Sequence, residues 1–134
     1  MQDTLPIHFA PLQGYTEAIY RNAHDAFFGG VDTYYTPFVR LEKGNFRRRD
    51  VRGIEPENNG VTHLIPQLIA SSAEKAEVIL SLFIEKGYQE VDINLGCPFP
   101  LLAKRHNGSG ILPYPEEVKA LLSIVSRYPQ ISFS

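Results

Sequence analysis

The side chain with the clearest chemical potential is the chain's single cysteine, Cys97. It follows an apolar, strand-like run and stands before Pro98 in a loop interrupted by glycine and proline, so we expect the thiol at the end of a strand. Strand ends are where an α/β enzyme keeps its reactive groups, and a protonated thiol there can give its proton to a carbon atom. The alternative is that this lone cysteine is a small apolar side chain of the core.

Composition indicates an ordinary globular protein. The chain has 134 residues, of which 43% are hydrophobic and 21% are charged, enough apolar mass for one core. No apolar run approaches the roughly 18 residues of a membrane-spanning helix, and residues 1–4 lack the basic and apolar regions of a signal peptide. One cysteine excludes a disulfide framework and a cysteine-based zinc site. We therefore expect a cytoplasmic protein with neither a membrane segment nor a bound metal.

Strand-like and helix-like segments alternate along the chain. Strands are expected at residues 5–10, 31–36, 62–69, 90–95 and 131–134. The expected helices run from a cap at Thr16 to about Phe28, from a capping box at residues 71–74 to near Gly87, and onward from Pro115. The polar residues 40–60 indicate a long loop with a short helix.

Two of these helices present an apolar face. Helical spacing groups Ala76, Ile79, Leu80 and Phe83 in the earlier helix, and Val118, Leu121, Leu122 and Val125 in the later one. Both groups are expected to pack into the core.

Alternation of strands and helices predicts a parallel sheet, either doubly wound or closed into a (β/α)₈ TIM barrel. No Gly-x-Gly-x-x-Gly turn follows the first strand, and distinctive residues instead follow several strands, at 10–14, 67 and 94–98. That distribution favours the barrel. Because a whole barrel takes ~250 residues, we interpret residues 1–134 as its N-terminal half, with about four β/α units and the start of a fifth strand. This truncated catalytic domain would lack the C-terminal half-barrel.

Four motifs resemble the N-terminal half of the tRNA-dihydrouridine synthases, in matching order and spacing. They are Ala10-Pro11-Leu12-x-Gly14-x-Thr16-Glu17 with Arg21, then Gln67-Leu68, then Asp92-Ile93-Asn94-Leu95-Gly96-Cys97-Pro98, and Gly108-Ser109-Gly110-x-Leu112 with Pro115-Glu116. The third motif is the most specific. Dihydroorotate and dihydropyrimidine dehydrogenases, which are flavin barrels that act on free pyrimidines, share a similar Asn-x-x-Cys-Pro element and are the alternative.

The resemblance implies a flavoenzyme that reduces FMN with NADPH and then reduces a uridine of tRNA to 5,6-dihydrouridine. Hydride would pass from flavin N5 to C6 of the uridine, while Cys97 protonates C5. Asn94 would orient the pyrimidine or the flavin, and its alternative role is to stabilise a turn. The resemblance also implies a C-terminal RNA-binding domain, which the chain would lack.

The same resemblance assigns cofactor-binding residues. The segment Pro11, Leu12 and Gln13 would run beneath the flavin ring, and Gln67 would bond its polar edge. The alternatives are that Pro11 simply ends a strand and that the Gln67 amide lies in the interior and forms its hydrogen bonds within the protein. Gln13 stands where the family usually has alanine and Leu12 where it has methionine, so Gln13 would crowd or rewire the edge of the flavin.

Since the net charge is only −2, a polyanion such as tRNA must be met by a local basic patch. Lys104 and Arg105 in the loop after the cysteine could contact phosphates around an extruded uridine. A second cluster, Arg47, Arg48, Arg49 and Arg52, could do the same or form a solvated helix face. The family's usual lysine near Leu101 is absent.

A third interpretation is a non-catalytic fragment stabilised by self-association or by a partner. The isolated chain is in any case expected to be inactive, because barrels bind the flavin phosphate through loops after the seventh and eighth strands. The family's fifth-strand lysine and later histidine would also be missing.

Overall fold

The computed structural model describes residues 4–134 and has an α/β architecture. Its strands are β1 (His8–Phe9), β2 (Thr33–Tyr35), β3 (Leu41–Glu42), β4 (Asn45–Phe46), β5 (Leu64–Ile65), β6 (Gln67–Leu68), β7 (Glu90–Ile93) and β8 (Ser132–Phe133). Its helices are α1 (Ala18–Phe27), α2 (Arg48–Ile54), α3 (Ala73–Glu85), α4 (Pro100–Ala103) and α5 (Pro115–Arg127), with 3₁₀ turns at Pro56–Asn58 and Gly108–Ile111. Residues 1–3, part of the segment that lacks a signal-peptide pattern, lie outside the described residues.

The parallel strands follow one another in sequence order. One sheet has the order β1-β2-β5 and the other β6-β7-β8, and β5 and β6 are the two halves of a strand interrupted at Pro66. Proline has no N–H for a ladder, so the expected strand 62–69 is interrupted at this point. Its first half pairs with β2 and its second half with β7, and an isolated parallel bridge also joins Val39 to Leu68. A doubly wound sheet would reverse its strand order, whereas the order described here proceeds without reversal.

The core lies between these strands and the helices that follow them. The α3 residues predicted to be buried, Ala76, Ile79, Leu80 and Phe83, are fully buried, so this face is confirmed. They join Leu68 and Val91 in one apolar cluster. The helix ends where expected, with Gly87 in a left-handed conformation at φ 88°.

The predicted face of α5 is partly wrong. Leu121 is fully buried, but Leu122 and Val125 are 37% and 42% exposed, and the fully buried partner of Leu121 is Ile124. Val118 packs against the edge of the core. The apolar residues of this helix between Val118 and Val125 cover more than one face, so their spacing is compatible with two different buried faces. Tertiary packing selects the face with Leu121 and Ile124.

Both predicted helix caps are displaced by one residue. The N-cap of α1 is Glu17, without a side-chain bond, because the Thr16 hydroxyl instead accepts a hydrogen bond from the Leu12 N–H at 2.8 Å. At α3 the capping oxygen belongs to Ser72, which accepts from the Lys75 N–H at 3.3 Å. The Ser71 hydroxyl accepts from the Lys75 ammonium.

Residues 40–60 are more ordered than the predicted loop. Strands β3 and β4 form an antiparallel hairpin whose two-residue turn is Lys43 and Gly44, both at positive φ (51° and 80°). This conformation matches the twist of hairpin strands. Helix α2 and a 3₁₀ turn follow, so the short helix expected in this segment is confirmed, whereas the hairpin was not predicted.

Across residues 4–134, none of the helices combines the length and apolarity needed to cross a bilayer. The same residues contain no group of three or more histidine, cysteine or acidic side chains placed to hold a metal ion.

Replacing Phe83 by alanine should lower the free energy of unfolding by about 3–5 kcal/mol, because the ring is fully buried and its removal leaves a cavity. Val78→Ala on the same helix is the control, and we expect a change within about 0.5 kcal/mol since Val78 is exposed. Urea denaturation measures both values. Equal effects of the two substitutions would contradict the assignment of the core face.

Candidate active site

Six of the predicted site residues line one cavity of about 370 Å³. Its walls are formed by Pro11, Leu12, Gln13, Pro37, Phe38, Gln67, Asn94, Cys97 and Pro98. These residues lie at or just beyond the carboxyl ends of β1, β2, β6 and β7, which is where a parallel α/β fold gathers its functional groups. Pro37 and Phe38 were not predicted, although their position directly after the second strand was a usable signal.

Cys97 is half-buried and forms part of the cavity wall. It packs against a small apolar cluster of Phe38, Ile69 and Leu102. Its backbone is held on both sides, since its N–H donates to Asn94 Oδ1 at 2.9 Å and its carbonyl accepts from the N–H and hydroxyl of Ser109, both at 3.0 Å. The thiol therefore occupies a fixed turn at the end of a strand and has access to the cavity.

The Asn94 amide organises this turn. Its Oδ1 accepts hydrogen bonds from the N–H groups of Gly96 (3.1 Å) and Cys97 (2.9 Å), so Asn94 does stabilise the turn. Its Nδ2 donates to Gln67 Oε1 at 2.9 Å, and Gln67 Nε2 donates to Asp92 Oδ2 at 2.5 Å. An amide has two N–H donors, so one N–H of Asn94 and one of Gln67 remain for a ligand in the cavity.

The network continues across a polar face of the sheet. Val91 faces the core, so its neighbours Glu90 and Asp92 face the opposite side. The Ser134 hydroxyl donates to Asp92 Oδ1 at 2.9 Å. Burial, and then the charges of Asp92 and Glu90, raise the pKa of Tyr35 on the same face, which keeps that phenol protonated.

Thr16 stabilises the loop that follows β1. Its hydroxyl accepts from the Leu12 N–H at 2.8 Å, and the Leu12 carbonyl accepts from the Thr16 N–H at 3.1 Å. This pair of bonds closes the turn that carries Pro11, Leu12 and Gln13. Gln13 Oε1 is buried and accepts no hydrogen bond from the described residues.

Arg21 stabilises the same loop through a hydrogen bond to Thr16. Its fully buried guanidinium donates to the Thr16 and Gly53 carbonyls, each at 2.7 Å, and to Asn59 Oδ1 at 2.6 Å. Burial lowers the pKa of Arg21 to about 10. The sequence indicated Arg21 only as part of a motif and did not predict its supporting role. That role depends on Gly53 and Asn59, which only the tertiary fold brings close to it.

The two basic residues predicted to bind substrate lie outside the cavity wall. Lys104 and Arg105 are exposed just after α4. In the arginine cluster, Arg47 forms a bidentate pair with Asp50 through two bonds of 2.8 Å, and Arg52 lies 3.7 Å from Glu17. These pairs within the chain favour the interpretation of that cluster as a solvated helix face.

Comparison with known proteins places the chain in a family. The family described as dihydrouridine synthase (Dus) matches residues 8–131. A probable tRNA-dihydrouridine synthase 1 of Synechocystis is 28% identical over 122 residues, covering 87% of this chain and 32% of that relative. The tRNA-dihydrouridine synthase B of Klebsiella pneumoniae is 34% identical over 59 residues, or 44% of this chain and 18% of the relative. The tRNA-dihydrouridine synthase B of Vibrio vulnificus is 37% identical over 60 residues, which cover 45% of this chain and 16% of the relative.

The chain therefore belongs to the dihydrouridine synthase family, which confirms the resemblance stated from its motifs. It spans about a third of the length of the Synechocystis relative and less than a fifth of the other two.

Gly108→Ala should disrupt the cysteine turn. Gly108 has φ +57°, and a methyl group there would lie 2.6 Å from the Cys97 carbonyl oxygen. We expect a loss of about 1–3 kcal/mol in unfolding free energy and a changed rate of Cys97 alkylation by iodoacetamide. Gly53→Ala is the control, since a methyl group there meets no atom within 4 Å. A Gly108→Ala protein with unchanged melting temperature and alkylation rate would contradict this packing.

Proposed function

We propose that these residues form part of an FMN-dependent tRNA-dihydrouridine synthase, which uses NADPH to reduce a uridine of tRNA to 5,6-dihydrouridine. The observation that supports it best is the shared cavity in which Cys97 meets the amides of Gln67 and Asn94. Family membership supports the same reaction class.

The cavity suits a flat, heteroaromatic cofactor such as FMN. Pro11, Leu12, Pro37 and Phe38 supply apolar walls against which a ring system can pack. Gln13 Oε1 is a buried acceptor without a donor among the described residues, and a ring N–H would satisfy it. Gln67 retains an N–H for a ring carbonyl or nitrogen. In this proposal Pro11, Leu12, Gln13 and Gln67 hold the flavin, which supplies the hydride when bound.

Cys97 is the proton donor in this proposal. Reduction of the C5–C6 double bond of uridine adds a hydride at C6 and a proton at C5, and the negative charge that develops toward C5 needs an acid nearby. The thiol can provide that proton and recover it from solvent. Asn94 positions the thiol through the backbone of the turn, and its free N–H can bond a pyrimidine carbonyl.

A uridine must leave its stack before it can enter such a cavity. We propose that Lys104 and Arg105 contact tRNA phosphates near the mouth, since both are exposed on the segment that follows the cysteine turn.

We further propose that the chain is one part of a larger barrel domain and is inactive alone. Within the described residues, β1 and β8 each have a single neighbouring strand. Two large apolar side chains of α1, the helix that follows β1, are also 85% exposed: Ile19 and Phe27. Additional β/α units would cover both edges and supply loops for the flavin phosphate.

Cys97→Ala in the active enzyme should preserve flavin reduction by NADPH and lower dihydrouridine formation by about 10²- to 10⁴-fold, the range expected for loss of a general acid. Stopped-flow absorbance of the flavin measures the first half-reaction, and mass spectrometry of tRNA nucleosides measures the second. Lys119→Gln, at an exposed position on α5, is the control and should leave both rates unchanged. Full product formation by Cys97→Ala would refute the assigned role, and product from free uracil alone would refute the tRNA substrate.

A further inference from the structure

A second cavity, of about 260 Å³, is strongly basic. Four cationic side chains line it, and we call the region they enclose the basic cleft: Arg40, Lys43, Lys75 and Arg105. No carboxylate lines this cleft in the part of the chain that the structure describes. The chain as a whole has 13 basic and 15 acidic residues, so the concentration of four cations in one cavity is a local feature that composition does not predict.

These cations are largely uncompensated. Among the described residues, Arg40 is the member of the cleft that forms an ion pair, with Glu42 at 3.1 Å. The Lys75 ammonium donates only to the hydroxyl of Ser71, at 3.0 Å. Arg40 Nε is buried without a hydrogen-bond partner in this part of the chain. An anion bound in the cleft would be attracted by all four of these positive charges.

The cleft lies beside the thiol. Its lining comes from three segments that follow the carboxyl ends of β2, β6 and β7, the same end of the sheet as the Cys97 cavity. Ile69 and Leu102 line the cleft and also belong to the apolar cluster against which Cys97 packs. One apolar wall therefore separates the cations from the reactive sulfur.

We propose that the basic cleft binds a backbone phosphate of the RNA substrate, next to the nucleotide that enters the Cys97 cavity; this inference rests on the proposed function. Lysine offers a compact positive charge and arginine a fork of N–H donors, and both suit a phosphodiester. When a base leaves its stack, the phosphates on either side of it must be held in place. One apolar wall separates the basic cleft from the Cys97 cavity, so a phosphate next to the extruded nucleotide could occupy the cleft. Phosphate groups also occur in NADPH, so the test separates the two sources.

The test compares the active enzyme that contains these residues with its Lys43→Gln/Lys75→Gln variant by fluorescence anisotropy, with an unmodified tRNA transcript over a series of salt concentrations. Loss of the cations that neutralise this phosphate should weaken binding and reduce the slope of log affinity against log salt by about 0.7–0.9, the change expected for one phosphate. Both residues are exposed, so the melting temperature should stay unchanged. Lys43→Arg/Lys75→Arg should restore the slope, and Lys119→Gln, exposed on α5, is the control that should match wild type.

Three outcomes would overturn the inference. An unchanged salt slope in the double glutamine variant, with tight RNA binding by wild type, would reject the cleft and leave the proposed function intact. Displacement of RNA by micromolar NADPH, with weakened NADPH binding in the variant, would assign the cleft to the nucleotide. Absence of salt-dependent RNA binding by wild type would count against both the cleft and an RNA substrate.

Discussion

The site depends on one hydrogen-bonded amide. Asn94 accepts from the backbone N–H of Cys97 and donates to Gln67, and so connects the cysteine turn to the two strands β6 and β7. Gln67 is buried and in turn bonds Asp92. Buried polar groups are costly unless each finds a partner, so the network fixes a single arrangement of the turn. The close approach of Gly108 to the Cys97 carbonyl then leaves that turn little room to move.

Such rigidity is what proton transfer to carbon requires, because the acid must already stand near the reacting atom. The loop on the opposite wall is ordered by different means: Thr16 closes it, and the buried guanidinium of Arg21 holds Thr16. Both walls of the cavity are therefore defined by hydrogen bonds within the chain. In contrast, the basic cleft is built from four cationic side chains, of which Arg40 alone forms an ion pair within residues 4–134.

The sequence predicted those features that depend on residues close together in the chain. Apolar spacing identified the buried face of α3, and the motif around Cys97 indicated a thiol at a strand end, next to Asn94. Sequence could not decide which face of α5 is buried, because Leu122 and Ile124 are equally apolar and only tertiary packing distinguishes them. It also missed the break at Pro66, which divides the third predicted strand into β5 and β6. The basic cleft combines residues from three segments that are distant in the sequence, so no sequence pattern predicts that they meet.

The most direct test of this account is amide hydrogen exchange of the Asn94→Ala chain, measured residue by residue by NMR. Loss of the Asn94 acceptor removes one hydrogen bond, worth about 0.5–1.5 kcal/mol, so the Cys97 N–H should exchange several-fold to about tenfold faster than in wild type. The Ile79 N–H, in the buried face of α3, should exchange at its wild-type rate. A Cys97 amide that exchanges at the wild-type rate in Asn94→Ala would show that the turn is held by other contacts and would contradict the account.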